Sequence, residues 1–259
     1  MSAVHVGLTS SQVMQYESEG FLVLRSVFNT EEIAMLAAEA ESLTMRSELI
    51  DTQNIRCRWS DDCNTGECNF DCFDPVIDIG PVCRYFAFDD RILSVLRALY
   101  NDEAYLFKDK LIFKKPGLKG YDLHQDFIGW PGFPESFITV IVAIDATNHE
   151  NGATEVFPQY HRQGYMSPRD GEYHLLPPDS VDESRAVILE LEPGDIAVFG
   201  GFVPHRSGPN RSSQWRRQLY LSYNAGRDGG EQRDSHYREF HEWLVEKYTQ
   251  YGKTGVYFR

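Results

Sequence analysis

A chain of 259 residues with 42% hydrophobic, 13% aromatic and 25% charged side chains has the make-up of a globular enzyme and not of a disordered, collagen-like or coiled-coil protein. Its 25 Lys and Arg against 39 Asp and Glu give a net charge of −14, which repels a phosphate backbone and argues against a nucleic-acid partner. No stretch approaches the ~20 apolar residues of a membrane span, and residues 1–9 lack a basic start and an apolar core, so one cytoplasmic domain over residues 1–259 without membrane attachment is expected.

In chain order, Ser10 to Glu19 followed by Gly20 reads as a short helix with a C-terminal glycine, and Phe21 to Leu24 as a strand. Asn29 with Glu32 three residues on forms a capping box, opening a helix whose apolar positions Ile33, Leu36, Ala37 and Leu43 recur at helical spacing. Residues 56–81 have no periodicity, many Asp, Asn and Gly, and read as a long ordered insertion of the kind that covers a site. All five cysteines fall between Cys57 and Cys83. Reduced thiols are the plain reading, and a metal or redox cluster of Cys63, Cys68 and Cys72 with Cys57 or Cys83 is the sharper one, although the two-residue knuckle of zinc sites is absent.

A second amphipathic stretch runs through Ile92, Val95, Leu96 and Leu99, and a third through Tyr237, Phe240, Trp243, Leu244 and Tyr248. Between them lie β-branched and aromatic runs bounded by turn residues: Tyr105 to Phe113, Phe137 to Ile144, Ala153 to Phe157, Val187 to Leu191, Asp195 to Phe199 and Gln218 to Tyr223. Strand and helix do not alternate regularly. The fold class expected is therefore mainly β with flanking helices, a sandwich or jelly-roll barrel.

The chemistry concentrates at His124-Gln125-Asp126 and at His205, 79 residues beyond Asp126. On an extended strand residues i and i+2 share a face, so His124 and Asp126 can aim an imidazole and a carboxylate at one point. A second histidine completes two His and one carboxylate, the facial set that leaves three open positions on non-heme Fe(II). The plain alternative is a surface histidine and a turn-capping aspartate. Arg216 opens a strand on which Arg216, Gln218, Tyr220 and Ser222 share one face and Arg217, Leu219 and Leu221 the other. An inward Arg216 suits bidentate capture of a carboxylate, and a register error of one residue would put Arg217 in its place.

With these residues in view the chain resembles the phytanoyl-CoA dioxygenase family of Fe(II)/2-oxoglutarate oxygenases. The likeness spans Tyr16 to Leu24, Lys114-Lys115-Pro116-Gly117, Leu123 to Phe127, Asn151-Gly152-Ala153-Thr154, and His205 with Ser207-Gly208-Pro209-Asn210 and Arg216. One departure is Pro158-Gln159-Tyr160-His161, where Pro-Gly-Ser-His is usual; it touches a turn and not a ligand. The resemblance implies a double-stranded β-helix (cupin-like), iron held by His124, Asp126 and His205, and Arg216 on the C5 carboxylate of 2-oxoglutarate, with Lys110 and Ser207 as further cosubstrate contacts. It also implies O2-dependent hydroxylation of a small molecule, with 2-oxoglutarate leaving as succinate and CO2. The carboxylate of Asp126 fills the position a halide would need, so hydroxylation is expected over halogenation.

For the substrate, either Asp109 or Lys110 faces inward from the alternating strand Lys108 to Lys114, and Phe127, Trp130 and Phe133 wall a pocket or belong to the core. Arg56 and Arg58 offer guanidinium forks to an anionic head, with Glu67 or Asp74 for an amine, unless they pair with Asp61 and Asp62. A bulky acyl-CoA needs a basic surface that the charge of −14 does not advertise. A small zwitterion fits better, and the resemblance points first to the bacterial 2-aminoethylphosphonate dioxygenase type. The rival readings are a non-catalytic metal-binding jelly roll, a hydroxylase of a natural-product scaffold, and an interaction protein organised by the cysteine segment.

Overall fold

The computed structural model describes residues 7–126 and 132–253. Its elements run α1 Ser10–Glu19, β1 Phe21–Leu24, α2 Thr30–Met45, β2 Cys57–Asp61, β3 Cys68–Phe73, α3 Pro81–Ala87, α4 Asp90–Tyr100, β4 Ala104–Lys114 and β5 Ile138–Ala143. They continue with β6 Thr154–Val156, β7 Val187–Ile188, β8 Ile196–Gly200, β9 His205–Ser207, β10 Arg216–Ala225 and α5 Arg233–Tyr251. The helix ends follow the capping chemistry of the sequence. Thr9 and Gln12 cap α1 reciprocally, Gly20 closes it at φ 85°, and Asn29 and Glu32 form the box that opens α2.

Seven antiparallel strands form one sheet in the order β1-β8-β5-β10-β4-β3-β2, and β7-β6-β9 form a smaller sheet. The two faces of the large sheet have different work. Leu111, Phe113, Val140, Val142, Val198, Leu219 and Leu221 point to one side and pack with Ile33, Leu36, Phe86, Ile92 and Leu96 of α2, α3 and α4. Ile112, Ile141, Ala143, Ala197, Phe199 and Tyr220 point to the other and meet Val156, Leu189 and Val203 from the side of the small sheet. The result is the expected mainly β, helix-flanked double-stranded β-helix, whose polar interior opens between the two sheets.

The segment 56–81, read as lacking periodicity, contains the hairpin β2–β3, which extends the large sheet through Cys72↔Ile112 and Phe73↔Leu111. Its strands are rich in Cys, Asp and Asn, which carry no β signal of their own, and their pairing with β4 is non-local. Cys57, Cys72 and Cys83 are buried and Cys63 and Cys68 exposed, all as free thiols. Among the described residues no cysteine belongs to a group able to hold a metal. The unusual Gln159 occupies the left-handed region at φ 70°, where glycine is at ease, and its side chain bonds Arg185 (2.7 Å) and Glu19 (3.3 Å). No helix among the described residues is long and apolar enough to cross a membrane.

Candidate active site

His124, Asp126 and His205 come together at the interior. Neither histidine motif sits on a long strand; His124 and His205 form an isolated antiparallel bridge, exchanging backbone bonds of 3.0 and 2.9 Å. Close chain approach makes this possible. A Cβ on Gly120 would lie 1.6 Å from the Ser207 carbonyl oxygen, so only glycine lets the loop before the motif rest on β9. Gln125, between the two donors, points away and ties down neighbouring loops through Gly164 O (2.8 Å), Phe202 O (2.7 Å) and the Met166 N–H (2.9 Å).

One potential donor atom from each of the three side chains lies within 4.8 Å of the other two. Each imidazole donates from Nδ1 to a backbone carbonyl, His124 to Asp122 (2.6 Å) and His205 to Val203 (2.9 Å), which leaves both Nε2 lone pairs for a metal. His205 Nε2 stands 3.7 Å from Asp126 Oδ1, and Thr139 Oγ1 donates to Asp126 Oδ2 (3.0 Å). Burial and the neighbouring His205 hold His124 well below the usual histidine range, so the ring is neutral. Burial alone would raise the Asp126 carboxyl, yet His205, Lys110 and His124 bring it below its ordinary value. Two imidazole nitrogens and a carboxylate suit a divalent transition metal.

These donors line a cleft. At its inner end are Thr154, Ser207, Tyr121 and Tyr220. Arg216 lies one step further along the same face of β10, 1% exposed; it donates to Gln218 Oε1 (2.7 Å), and its Nε has no hydrogen-bond partner. Arg217 points to the opposite face and forks onto Asp145 at 2.8 Å. The register therefore turns Arg216 inward. Lys114, also buried, donates to Ser207 Oγ (3.0 Å) and Gly152 O (3.2 Å) and to Gly208 O, so it braces the turn behind His205. A carboxylate-bearing cosubstrate fits a buried guanidinium with a spare donor.

The outer end carries Arg58, Asp74, Lys108, Lys110, Tyr173, Phe133 and Phe137. Asp74 Oδ2 faces Lys108 Nζ (3.2 Å) and Arg58 Nε (3.6 Å), and its Oδ1 accepts from Tyr237 Oη (2.9 Å). Burial opposes the charge on Asp74, but Lys108, Arg58 and Lys110 hold the carboxyl well below the usual range. Burial likewise works against Lys110, and Asp126 and Asp74 outweigh it, so Lys110 stays protonated.

Two expected site residues lie elsewhere. Asp109 does not face the cleft: it is fully buried on the helix side, accepting from Val76 N (2.6 Å), Ile77 N (2.8 Å) and Arg233 Nε (2.7 Å). Arg56 bonds Pro75 O (2.8 Å) and Asp78 (3.2 Å), and is not part of the cleft wall; neither Arg56 nor Arg58 uses Asp61 or Asp62. Phe127 and Trp130 lie outside the described residues. Thr139, Tyr121 and Tyr173 escaped the sequence reading, and Tyr220 was placed only on the inward face of its strand. Only Thr139 left a trace, as the one hydroxyl in the apolar run Ile138 to Ala143.

The model of the phytanoyl-CoA dioxygenase family matches residues 16–218. The chain is 36% identical over 137 residues to a methylphosphonate hydroxylase of Gimesia maris, a match covering 51% of this chain and only 50% of that protein. It is 29% identical over 239 residues to a 2-aminoethylphosphonate dioxygenase of an uncultured bacterium, covering 87% of this chain and 85% of that one. The fold is shared with EctD from S. alaskensis, solved with 2-oxoglutarate and 5-hydroxyectoine, at a TM-score of 0.71 and 21% identity over 88% of this chain and 82% of that one.

Proposed function

As the chain belongs to the phytanoyl-CoA dioxygenase family of Fe(II)- and 2-oxoglutarate-dependent oxygenases, we propose that it hydroxylates an unactivated C–H bond of a small polar molecule, with 2-aminoethylphosphonate or a related small zwitterion as substrate. The observation that carries the reading is the convergence of His124, Asp126 and His205 on one point of a cleft with a buried arginine beyond one end and a cluster of cations at the other. Relatives named for aminoethylphosphonate and methylphosphonate support the substrate.

His124, Asp126 and His205 would hold the iron through two imidazole nitrogens and a carboxylate oxygen. Bound there, iron and 2-oxoglutarate supply the oxidation, in which O2 and 2-oxoglutarate yield succinate, CO2 and one new C–OH on the substrate. Arg216 answers the far carboxylate of the cosubstrate with a charge-assisted fork, and Ser207 and Lys110 flank its path. Thr139 and the carbonyls of Asp122 and Val203 keep the ligands aimed without a reorganisation cost. Phe133, Phe137 and Tyr173 exclude water from the reacting carbon. Arg58 and Lys108 receive the anionic end of the substrate.

The test is succinate formation from 2-oxoglutarate with Fe(II) and O2. 2-Aminoethylphosphonate should drive it well above the uncoupled background and gain a hydroxyl on the carbon next to phosphorus. Turnover with a different amine, betaine or natural-product scaffold and not with the phosphonate would remove the substrate and keep the oxygenase.

A further inference from the structure

A second cavity lies behind the cleft. Its floor is made of the buried residues Phe137, Ile138, Gly201 and Val203, and the half-buried Val13 of α1 and Leu99 of α4 stand in its wall. Its charged residues Glu17, Glu135 and Arg227 are exposed and so belong to its mouth. Polarity therefore falls from the mouth inward. The inner polar groups are committed to the protein: Tyr100 Oη donates to Tyr223 O (2.8 Å), Ser136 Oγ accepts from the Ala225 N–H (2.9 Å), and His161 Nδ1 is packed on Gly20, where a Cβ would lie 2.5 Å from it. Tyr16 adds a phenol that burial holds in its neutral form.

Two features join this cavity to the reaction. Phe137 lines both spaces, its ring centroid 4.7 Å from that of Phe133 and 5.7 Å from that of Phe107. The turn Gly200 to Val203 forms the rest of the floor; the Gly201 N–H donates to Phe137 O (2.7 Å), and Val203 O accepts from His205 Nδ1 (2.9 Å). Val203 is thus at once a wall of the cavity and the support of His205. Neither Gly200 nor Gly201 takes a positive φ, so what glycine supplies there is room. A Cβ would lie 3.0 Å from Tyr16 Oη at the first and 3.1 Å from Phe137 Cδ1 at the second, and the two rings so seated both face the cavity.

The cleft itself is a poor entrance for the third reactant. With 2-oxoglutarate toward Arg216 and the substrate at the outer end, two polar molecules fill it from both sides. O2 is small, uncharged and apolar, and an apolar cavity admits such a guest where it does not hold water. We propose that O2 reaches the point on which His124, Asp126 and His205 converge through this second cavity, passing the ring of Phe137, which is the partition between the two spaces. The proposal rests on the oxygenase reading and adds to it a route for one reactant.

Xenon, an apolar atom that stands in for O2, reads the space without turnover. In holoenzyme crystals pressurised with xenon, an atom should sit between Leu99, Ile138 and Val203; a cavity that takes up none overturns the proposal. Leu99→Trp and Val13→Trp, each filling the space from a helix outside the catalytic machinery, should exclude the xenon. With 2-oxoglutarate and 2-aminoethylphosphonate bound, or whichever compound drives succinate formation in its place, each variant should lower kcat/KM for O2 by about fivefold or more, because a passage that must open by motion slows association. The kcat at saturating O2 and the KM for 2-oxoglutarate should hold. In the uncoupled reaction, with the outer cleft open, the loss should shrink, which general damage to the fold does not produce. A variant that excludes xenon yet keeps kcat/KM for O2 with the cleft filled overturns the route and leaves the oxygenase. Absence of O2 uptake by the unsubstituted chain with any of the compounds overturns the oxygenase reading, and the route with it.

Discussion

Each inward donor of the centre is aimed by a bond on its far side, and this makes the three unequal to any substitute. The Nδ1 bonds of His124 and His205 and the Thr139 bond to Asp126 fix lone pairs toward one point, so a removed side chain leaves a gap that its neighbours cannot swing to fill. His124→Ala, Asp126→Ala and His205→Ala should each abolish turnover and lose iron; any one of them retaining both full activity and bound iron would refute the triad. The two adjacent arginines give a sharper contrast. Arg216 is buried with an unpartnered Nε, whereas Arg217 is spent on Asp145. Loss of a buried charge-assisted partner costs about 2–5 kcal/mol, so Arg216→Ala should raise the 2-oxoglutarate requirement by about thirtyfold or more. Arg217→Ala should leave that requirement nearly unchanged and lower stability instead. Steady-state titration of 2-oxoglutarate against both variants decides it.

At the scale of elements, β10 and β4 show what a sequence can and cannot carry. On β10 the polar set Arg216, Gln218, Tyr220 and Ser222 and the apolar set Leu219 and Leu221 differ so strongly that the alternation alone orients the strand. On β4 both faces hold charge: Lys108 and Lys110 turn to the cleft, while Asp109 turns to the helix side. What orients β4 lies far away in the chain. β3 reaches only Leu111 and Ile112, and beyond it the Tyr237 hydroxyl from α5 accepts from the Asp109 N–H (2.9 Å), while Arg233 supplies the ion pair. The same non-local dependence hid the β2–β3 hairpin, although Arg58 and Asp74, which lie in the cleft wall, were already candidates for the substrate. The metal residues were legible because their spacing is set by chemistry, and the outer cleft only in part, because it is assembled from four separated segments. Asp109→Ala should therefore act on folding. It strips the Val76 and Ile77 N–H groups of their acceptor and leaves Arg233 half-paired, a loss of about 3–5 kcal/mol. Urea unfolding should show that loss, while the KM of the folded fraction stays at the wild-type value. A raised KM at wild-type stability would return Asp109 to the substrate site.

Across the whole molecule the buried histidines set how stability responds to acid. His236 packs among Phe107 (ring centroids 4.3 Å apart), Phe133 and Phe240, and its Nε2 has no partner. Burial, then the nearby Lys108, pushes its pKa down to about 3, and burial lowers those of His161 and His241 as well. The unfolded chain takes up these protons near the ordinary histidine value of about 6.5, and the folded chain does not. Below that pH the unfolded state binds more protons, so stability is complete above about pH 6.5 and falls as the pH drops toward 3. Each fully discriminating histidine contributes a slope of about 1.4 kcal/mol per pH unit in that window. Asp74, Asp78, Asp89 and Asp195, all held below the usual carboxylate range, add to the loss only at the acid end, as the pH falls below the ordinary carboxylate value. Urea midpoints at pH 7, 6 and 5 should thus decline before any carboxylate titrates. His236→Phe, which places a ring among rings and has nothing to protonate, should flatten that decline by about the share of one histidine. An unchanged slope in His236→Phe would mean that His236 is protonated in the folded protein, beside Lys108.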